Sequence, residues 1–130
     1  MHFLIDSTLE GYAPILIRSL TKRGWLELLP LRFMTLQEVG LARDSSDRAV
    51  WNYARQHQTL IFTSQQNMRG RDSLEREMRD NNTQNSFPTI TIENLSRLEE
   101  YNYRERCLDR LIEIILEIEK YMGVGQIFIP

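Results

Sequence analysis

The sequence predicts an α/β fold with helices on both faces of a mostly parallel sheet of about four to five strands. Two observations carry this prediction. Short apolar runs alternate with longer segments of helical spacing along the 130 residues, and such alternation is typical of βαβ units. The run Phe3–Ile5 has no polar residue, as expected of a strand buried on both faces of a parallel sheet. We interpret residues 1–130 as a single domain.

Five segments have the features of strands. They are Phe3–Ile5, Trp25–Phe33, Thr59–Thr63, Pro88–Ile92 and Gln126–Ile129. Thr59–Thr63 is the clearest, because it is continuous, rich in β-branched residues and bounded by polar ones. Pro30 indicates that the second strand is an edge strand or carries a bulge, since proline has no amide to donate to a neighbouring strand.

Four segments have the features of helices. They run from Ser7 to about Arg23, from Ser45 or Ser46 to near His57, from Asp72 into the polar residues 80–85, and over Tyr103–Tyr121. Ser7 and Glu10 fit a capping box at the first start, and Pro14 bends or delays that start. We expect short turns or single helical turns over Thr35–Leu41 and Asn94–Glu100.

Polar residues gather at the edge of the sheet where parallel strands end. Asp6 follows the first strand, Thr63, Ser64 and Gln65 close the third, and Asp72 and Glu75 open the next helix. In open α/β sheets this edge is where ligands bind. Asp6 has a second interpretation, which is that it only caps the following helix.

The acidic residues at this edge come from separate segments of the chain. Asp6, Asp44, Asp47, Asp72 and Glu75 can meet there if the loop before Ser45 folds over the sheet. Carboxylates close together are costly unless a cation neutralises them, and an all-oxygen cluster suits Mg²⁺ or Mn²⁺ better than zinc. The alternative is that four of these acids sit at helix N-termini, where acids are favoured without any function.

Composition limits the classes of protein. The formal net charge is −2, so the overall electrostatic potential gives no indication of a nucleic-acid partner. The one cysteine, Cys107, excludes an internal disulfide and a cysteine-based zinc site. No signal peptide or membrane-spanning run is visible, so we expect a soluble protein of the cytoplasm with no membrane partner.

The chain resembles the PIN-like domain family, the fold of VapC-type toxin ribonucleases, and within it an uncharacterised bacterial branch. The resemblance rests on Phe3-Leu4-Ile5-Asp6, the turn from Gly40-Leu41 to Ser46-Asp47, Leu60-Ile61-Phe62-Thr63 and the closing Gln126-Ile127-Phe128-Ile129. It covers nearly the whole chain through short motifs. It implies a three-layer α/β/α sandwich and an acidic cluster that binds Mg²⁺ or Mn²⁺ and cleaves RNA.

The resemblance also implies site residues. Asp6 would be the first metal carboxylate and Asp47 the second. Relatives place one or two aspartates directly after the third strand, where this chain has Ser64-Gln65-Gln66-Asn67, so Asp72, with Glu75 as helper, is the nearest acid that could replace them. Gln65 and Asn67 offer carbonyl oxygens without charge. A variant active site and an inactive one both fit this substitution.

Two functions follow from these expectations. The first is a metal-dependent endoribonuclease, the toxin of a toxin–antitoxin pair, with Asp6, Asp47 and Asp72 as catalytic residues. Thr63, Ser64, Gln65, Asn67, Arg69 and Arg71 would then contact the RNA substrate. The second is a catalytically impaired module that binds RNA or a protein. The arginines have another interpretation, as ion-pair partners of acids on a solvated helix face.

The last predicted helix carries an unusually wide apolar stripe. Leu108, Leu111, Ile112, Ile115 and Met122 lie along one face, and Ile114, Ile118 and Tyr121 widen it. We therefore expect a homodimer through this helix, or an antitoxin-like partner that covers it. A scaffold protein that self-associates through this helix is a third class of function.

Overall fold

The computed structural model of the chain describes residues 1–64 and 85–130. It contains a five-stranded sheet in which every neighbouring pair of strands is parallel, in the order β2-β1-β3-β4-β5. The strands are β1 His2–Ile5, β2 Arg32–Thr35, β3 Leu60–Ser64, β4 Thr89–Ile92 and β5 Gln126–Ile129. The α-helices are α1 Ala13–Lys22, α2 Trp25–Leu28, α3 Asp47–Gln56 and α4 Tyr101–Leu116. The predicted α/β class and parallel sheet are confirmed.

Helices pack on both faces of this sheet, as a three-layer α/β/α sandwich requires. On one face, alternate strand residues such as Phe3 and Phe62 pack with α1 and α4. On the other face, Leu4 and Ile61 pack with Val50, Trp51 and Ala54 of α3. Successive strand residues therefore point into two different cores, which explains why the strands are apolar at consecutive positions.

The strand order reverses between β1 and β3. The chain leaves β1 toward β2 on one side and leaves β3 toward β4 on the other. At such a switch point the two connections diverge and leave a crevice at the carboxyl ends of the strands, where open α/β sheets bind ligands. The sheet therefore brings the ends of β1 and β3 together at this crevice.

The first helix starts later than predicted, and the capping box at Ser7 is wrong. The chain makes a 3-10 turn over Glu10–Tyr12 before α1 begins at Ala13. Neither the 3-10 turn nor α1 has a side-chain cap, and the Asp6 carboxylate instead accepts hydrogen bonds from the amides of Thr8 and Leu9 in the turn that precedes them. Proline lies within the first two positions of α1, where its missing amide costs no hydrogen bond.

The second strand is shorter than predicted. Trp25–Leu28 is a helical turn, and the strand begins only at Arg32, after Pro30. Trp25 and Leu26 pack on the larger core from this helix. Trp25–Leu28 is short, and its three apolar residues fit either a strand or a helical turn, so the pattern could not separate the two. The edge position indicated by Pro30 is confirmed, because β2 is the first strand of the sheet.

The other boundaries agree more closely with the sequence. Ser46 is the N-cap of α3, and its hydroxyl accepts a hydrogen bond from the Ala49 amide at 3.1 Å. Gly40 ends the predicted connection in the left-handed conformation, with φ of 86°. The last helix ends earlier than predicted, at Leu116, and continues as a 3-10 turn over Ile118–Tyr121. The predicted helix from Asp72 lies outside the described residues.

The part of the wide apolar stripe that lies on α4 is buried by the chain itself, whereas Ile118, Tyr121 and Met122 beyond it are half-buried. Leu108, Leu111, Ile112, Ile114 and Ile115 are all less than 10% exposed within the core that α4 shares with the sheet. The width of the stripe on α4 therefore does not require a partner chain. The homodimer was predicted from that width, so it stays a prediction that this observation no longer supports. Cys107 lies on the same helix and is fully buried, and burial raises the pKa of its thiol to about 11.

Candidate functional site

Asp6 ends β1 with a carboxylate that is almost completely enclosed. The residue is 5% exposed, although it follows the last strand residue directly. Its Oδ1 accepts hydrogen bonds from the Thr8 hydroxyl at 2.7 Å, the Thr8 amide at 3.1 Å and the Leu9 amide at 3.3 Å. The turn after β1 therefore wraps around this oxygen and holds it in place.

The other carboxylate oxygen of Asp6 faces the end of β3. The Thr63 hydroxyl donates a hydrogen bond to Oδ2, and the Ser64 hydroxyl lies 2.8 Å from that of Thr8. Thr63 and Ser64 are both fully buried. We refer to Asp6, Thr8, Thr63 and Ser64 as the Asp6 cluster. It occupies the crevice between β1 and β3, so the sheet topology places it where this fold binds ligands.

Burial dominates the electrostatics of the Asp6 cluster. Removal from water raises the pKa of Asp6 above its ordinary value, whereas the hydrogen bonds from Thr63, Thr8 and Leu9 lower it and offset only part of that effect. The carboxylate therefore carries its charge at a cost. Among the described residues, Oδ2 receives a side-chain donor only from Thr63, and a carboxylate oxygen has room for a second ligand.

Asp47 lies at the same edge of the sheet as the Asp6 cluster. Because β2 and β3 are parallel, the connection between them must return from the carboxyl edge of the sheet to its amino edge. Helix α3 forms this return, so its first residue, Asp47, lies at the carboxyl edge. The loop before it reaches the turn after β1, because the Arg43 Nε lies 4.0 Å from the Glu10 Oε2. This contact brings the loop before α3 beside the segment that follows β1. The side chain of Asp47 is half-buried.

The other predicted site residues lie outside the described part of the chain. They are Gln65, Asn67, Arg69, Arg71, Asp72 and Glu75. Of the predicted set, the structure brings Asp6, Thr63 and Ser64 into one cluster and places Asp47 on the same edge.

Two further residues at this edge, Thr8 and Glu93, were not predicted from the sequence. Thr8 joins Asp6 to Ser64, and the spacing Asp6-Ser7-Thr8 was its signal, since an aspartate commonly accepts hydrogen bonds two residues on. Glu93 directly follows β4 at the carboxyl edge and is exposed. The reasoning that selected Asp6, an acid at the tip of a predicted strand, applies equally to Glu93.

The Asp6 cluster offers the donor atoms that a hard cation prefers, but it has too little negative charge to form a metal site alone. All four side chains offer oxygen, the ligand that Mg²⁺ and Mn²⁺ prefer, and Asp6 brings one negative charge. Within residues 1–64 and 85–130, no three His, Cys, Asp or Glu side chains are grouped closely enough to hold a metal ion. A complete metal site at this edge would therefore need further carboxylates, such as Asp72 and Glu75.

Comparisons with known proteins neither support nor oppose a metal site here. No family model matches the chain, and no curated protein or solved structure does. In the described part of the chain, none of the helices combines the length and apolarity needed to cross a bilayer.

Proposed function

We propose that this chain is a Mg²⁺- or Mn²⁺-dependent endoribonuclease of the PIN-like type, with its metal site at the carboxyl edge of the sheet. The observation that carries the proposal is the buried Asp6 carboxylate at the β1–β3 crevice. Burial raises its pKa, and a bound cation would offset that cost. The resemblance of the sequence to the PIN-like family supports the choice of RNA as substrate.

The proposal assigns roles to the residues of this edge. Asp6 would bind the cation through Oδ2, while Thr8 and Leu9 hold Oδ1 and fix the direction of the carboxylate. Asp47, Asp72 and Glu75 would supply the remaining negative charge. A bound divalent cation contributes a Lewis acid and an activated water for phosphodiester hydrolysis. Gln65, Asn67, Arg69 and Arg71 would contact the RNA.

The cellular role follows from the same resemblance. We propose that the protein acts in the cytoplasm as the toxin of a toxin–antitoxin pair, whose antitoxin-like partner limits its activity. A homodimer would be compatible with this role. The exposed apolar residues Leu116, Val124 and Phe128 offer contacts for either association.

A second candidate function is favoured by the hydrogen bonds of Asp6. The carboxylate already accepts four hydrogen bonds from its own chain, which is enough to hold it in place without a metal. Together with Gln65 and Asn67 in place of acids, this favours a catalytically impaired module that binds RNA or a protein.

Thermal melting with added MnCl₂ or MgCl₂ separates the two functions. A cation that binds only the folded chain at ten times its Kd stabilises it by about 1.4 kcal/mol, a rise in melting temperature of about 3–5 °C. We expect this rise in the wild type and its loss in Asp6→Asn. Glu27→Gln is the matched control, because it removes the same charge from an exposed position on α2 and should keep the full response.

Cleavage of a labelled single-stranded RNA then tests the activity. We expect Mn²⁺-dependent cleavage by the wild type and by Glu27→Gln, and none by Asp6→Asn or Asp47→Asn. Metal-independent melting together with retained RNA binding in Asp6→Asn would contradict the nuclease and support the impaired module. Circular dichroism of each variant establishes that it is folded.

A further inference from the structure

A pocket of about 260 Å³ opens on the α3 face of the sheet, away from the Asp6 cluster. Residues at the end of α3, the start of β3 and the start of β4 line it, so it lies toward the amino edge of the strands. We refer to it as the α3–β4 pocket. Its volume far exceeds the space that one bridging water needs, so it can hold a small organic molecule.

The walls of the α3–β4 pocket suit a flat ring. Trp51, Ile61, Phe87 and Met122 contribute aromatic, aliphatic and thioether surfaces. Aromatic rings and methionine pack well against planar ligands. Small-molecule sites generally combine such apolar walls with a few placed polar groups, and the polar groups of this pocket indicate what the ring must carry.

One buried polar group among the residues that line the pocket has no partner in the described part of the chain. Trp51 is 3% exposed, and its indole N–H meets no acceptor there. Thr89, which is 1% exposed, adds a hydroxyl to the lining. A buried donor without an acceptor is costly, so Trp51 favours a ligand that brings an acceptor, and the Thr89 hydroxyl can donate to the same ligand. Side chains at binding sites commonly change rotamer on binding, which would bring the indole N–H to such an acceptor.

The charge of the lining argues against an anionic ligand. Among the described lining residues the cation is Arg55, which is exposed and already takes part in another interaction. The interior thus offers hydrogen-bond donors without a free positive charge. We propose that the α3–β4 pocket binds a neutral planar heteroaromatic molecule of nucleobase size, with a ring nitrogen or carbonyl oxygen that accepts from Trp51 or Thr89.

Two-dimensional ¹H–¹⁵N spectra of the whole protein test this proposal. The chain has two tryptophans, so the indole N–H of Trp25 on α2 is an internal reference for that of Trp51. Adenine and uracil are the probes, each titrated into the millimolar range. We expect a saturable downfield shift of the Trp51 indole proton, with Trp25 unmoved. An unmoved Trp51, or equal shifts of both tryptophans, would overturn the proposal.

Matched variants and a charged probe sharpen the test. Thr89→Val keeps the shape of the side chain but removes its hydroxyl, and should weaken binding by about two- to tenfold while the protein stays folded. Asp6→Asn should leave binding unchanged, because the Asp6 cluster is a separate site. Unaltered affinity in Thr89→Val, or tighter binding of benzoate than of both bases, would contradict the assignment.

Discussion

The hydroxyl oxygens of Thr8 and Ser64 lie 2.8 Å apart, although 56 positions separate the two residues in the chain. Thr8 belongs to the turn after β1, and Ser64 ends β3. The same Thr8 hydroxyl donates to Asp6, so this contact ties the carboxylate to both sides of the crevice. The position of Asp6 therefore depends on the pairing of β1 with β3 as much as on its own turn.

Asp6 should make the stability of the protein depend on pH. Because the pKa of Asp6 is raised in the folded chain, the folded state binds more protons than the unfolded one above pH 3.8. The contribution of Asp6 to stability thus falls as pH rises from 3.8 through the folded pKa. We expect Asp6→Asn to gain stability relative to the wild type over this interval and then to level off.

Urea unfolding of both proteins, in a chelating buffer at a series of pH values, measures this difference. Glu27→Gln controls for the loss of one carboxylate, and its difference from the wild type should show no such rise. A stability difference for Asp6→Asn that stays flat or falls with pH would show that burial does not dominate at Asp6.

Thr63 should stabilise the fold through its hydroxyl. Thr63→Val keeps the branched shape but removes the donor to the buried Asp6 Oδ2. Loss of a partner to a buried polar group costs about 1–3 kcal/mol, so we expect a loss of this size in the free energy of unfolding. The pKa of Asp6 should rise further, since a hydrogen bond that lowers it is gone.

Thr63→Ser is the control for that measurement. It retains the hydroxyl and loses only one methyl group, worth about 0.8 kcal/mol. Equal losses for the valine and serine variants in urea unfolding would mean that packing, and not the hydrogen bond, accounts for the role of Thr63.

The packing of α4 predicts that a buried leucine and an exposed one on the same helix differ sharply. Leu111 is fully buried, whereas Leu116 is 57% exposed. We expect Leu111→Ala to lower the free energy of unfolding by about 2–5 kcal/mol and Leu116→Ala to change it by less than about 0.5 kcal/mol. Chemical denaturation of the two variants measures both.

Protein concentration provides the second readout for α4. If the chain alone buries Leu111, the unfolding midpoint of the wild type should not depend on protein concentration. A midpoint that rises with concentration, together with a large cost for Leu116→Ala, would show that a second copy of the chain covers this helix.

The predictions from sequence were most accurate where local chemistry decides the structure. The serine N-cap of α3, the glycine after the 3-10 turn at Gln37–Val39 and the β-branched run of β3 each depend on a few adjacent residues. They were least accurate at Trp25–Leu28 and at Ser7, because a short, mostly apolar segment and a capping pattern were each compatible with two structures. Packing on the core favours the helix at Trp25, and the buried carboxylate of Asp6 accepts the amides of the turn in which the capping box was predicted.

The sequence alone determined the α/β class, the parallel arrangement and Asp6 as the residue at the tip of β1, because these follow from periodicity and from the order of the elements. It could not determine which strands are neighbours. Only the tertiary structure placed β3 beside β1 and so brought Thr63 and Ser64 to Asp6 and Thr8. Burial raises the pKa of Asp6, and burial is a property of the folded chain that no local sequence pattern encodes.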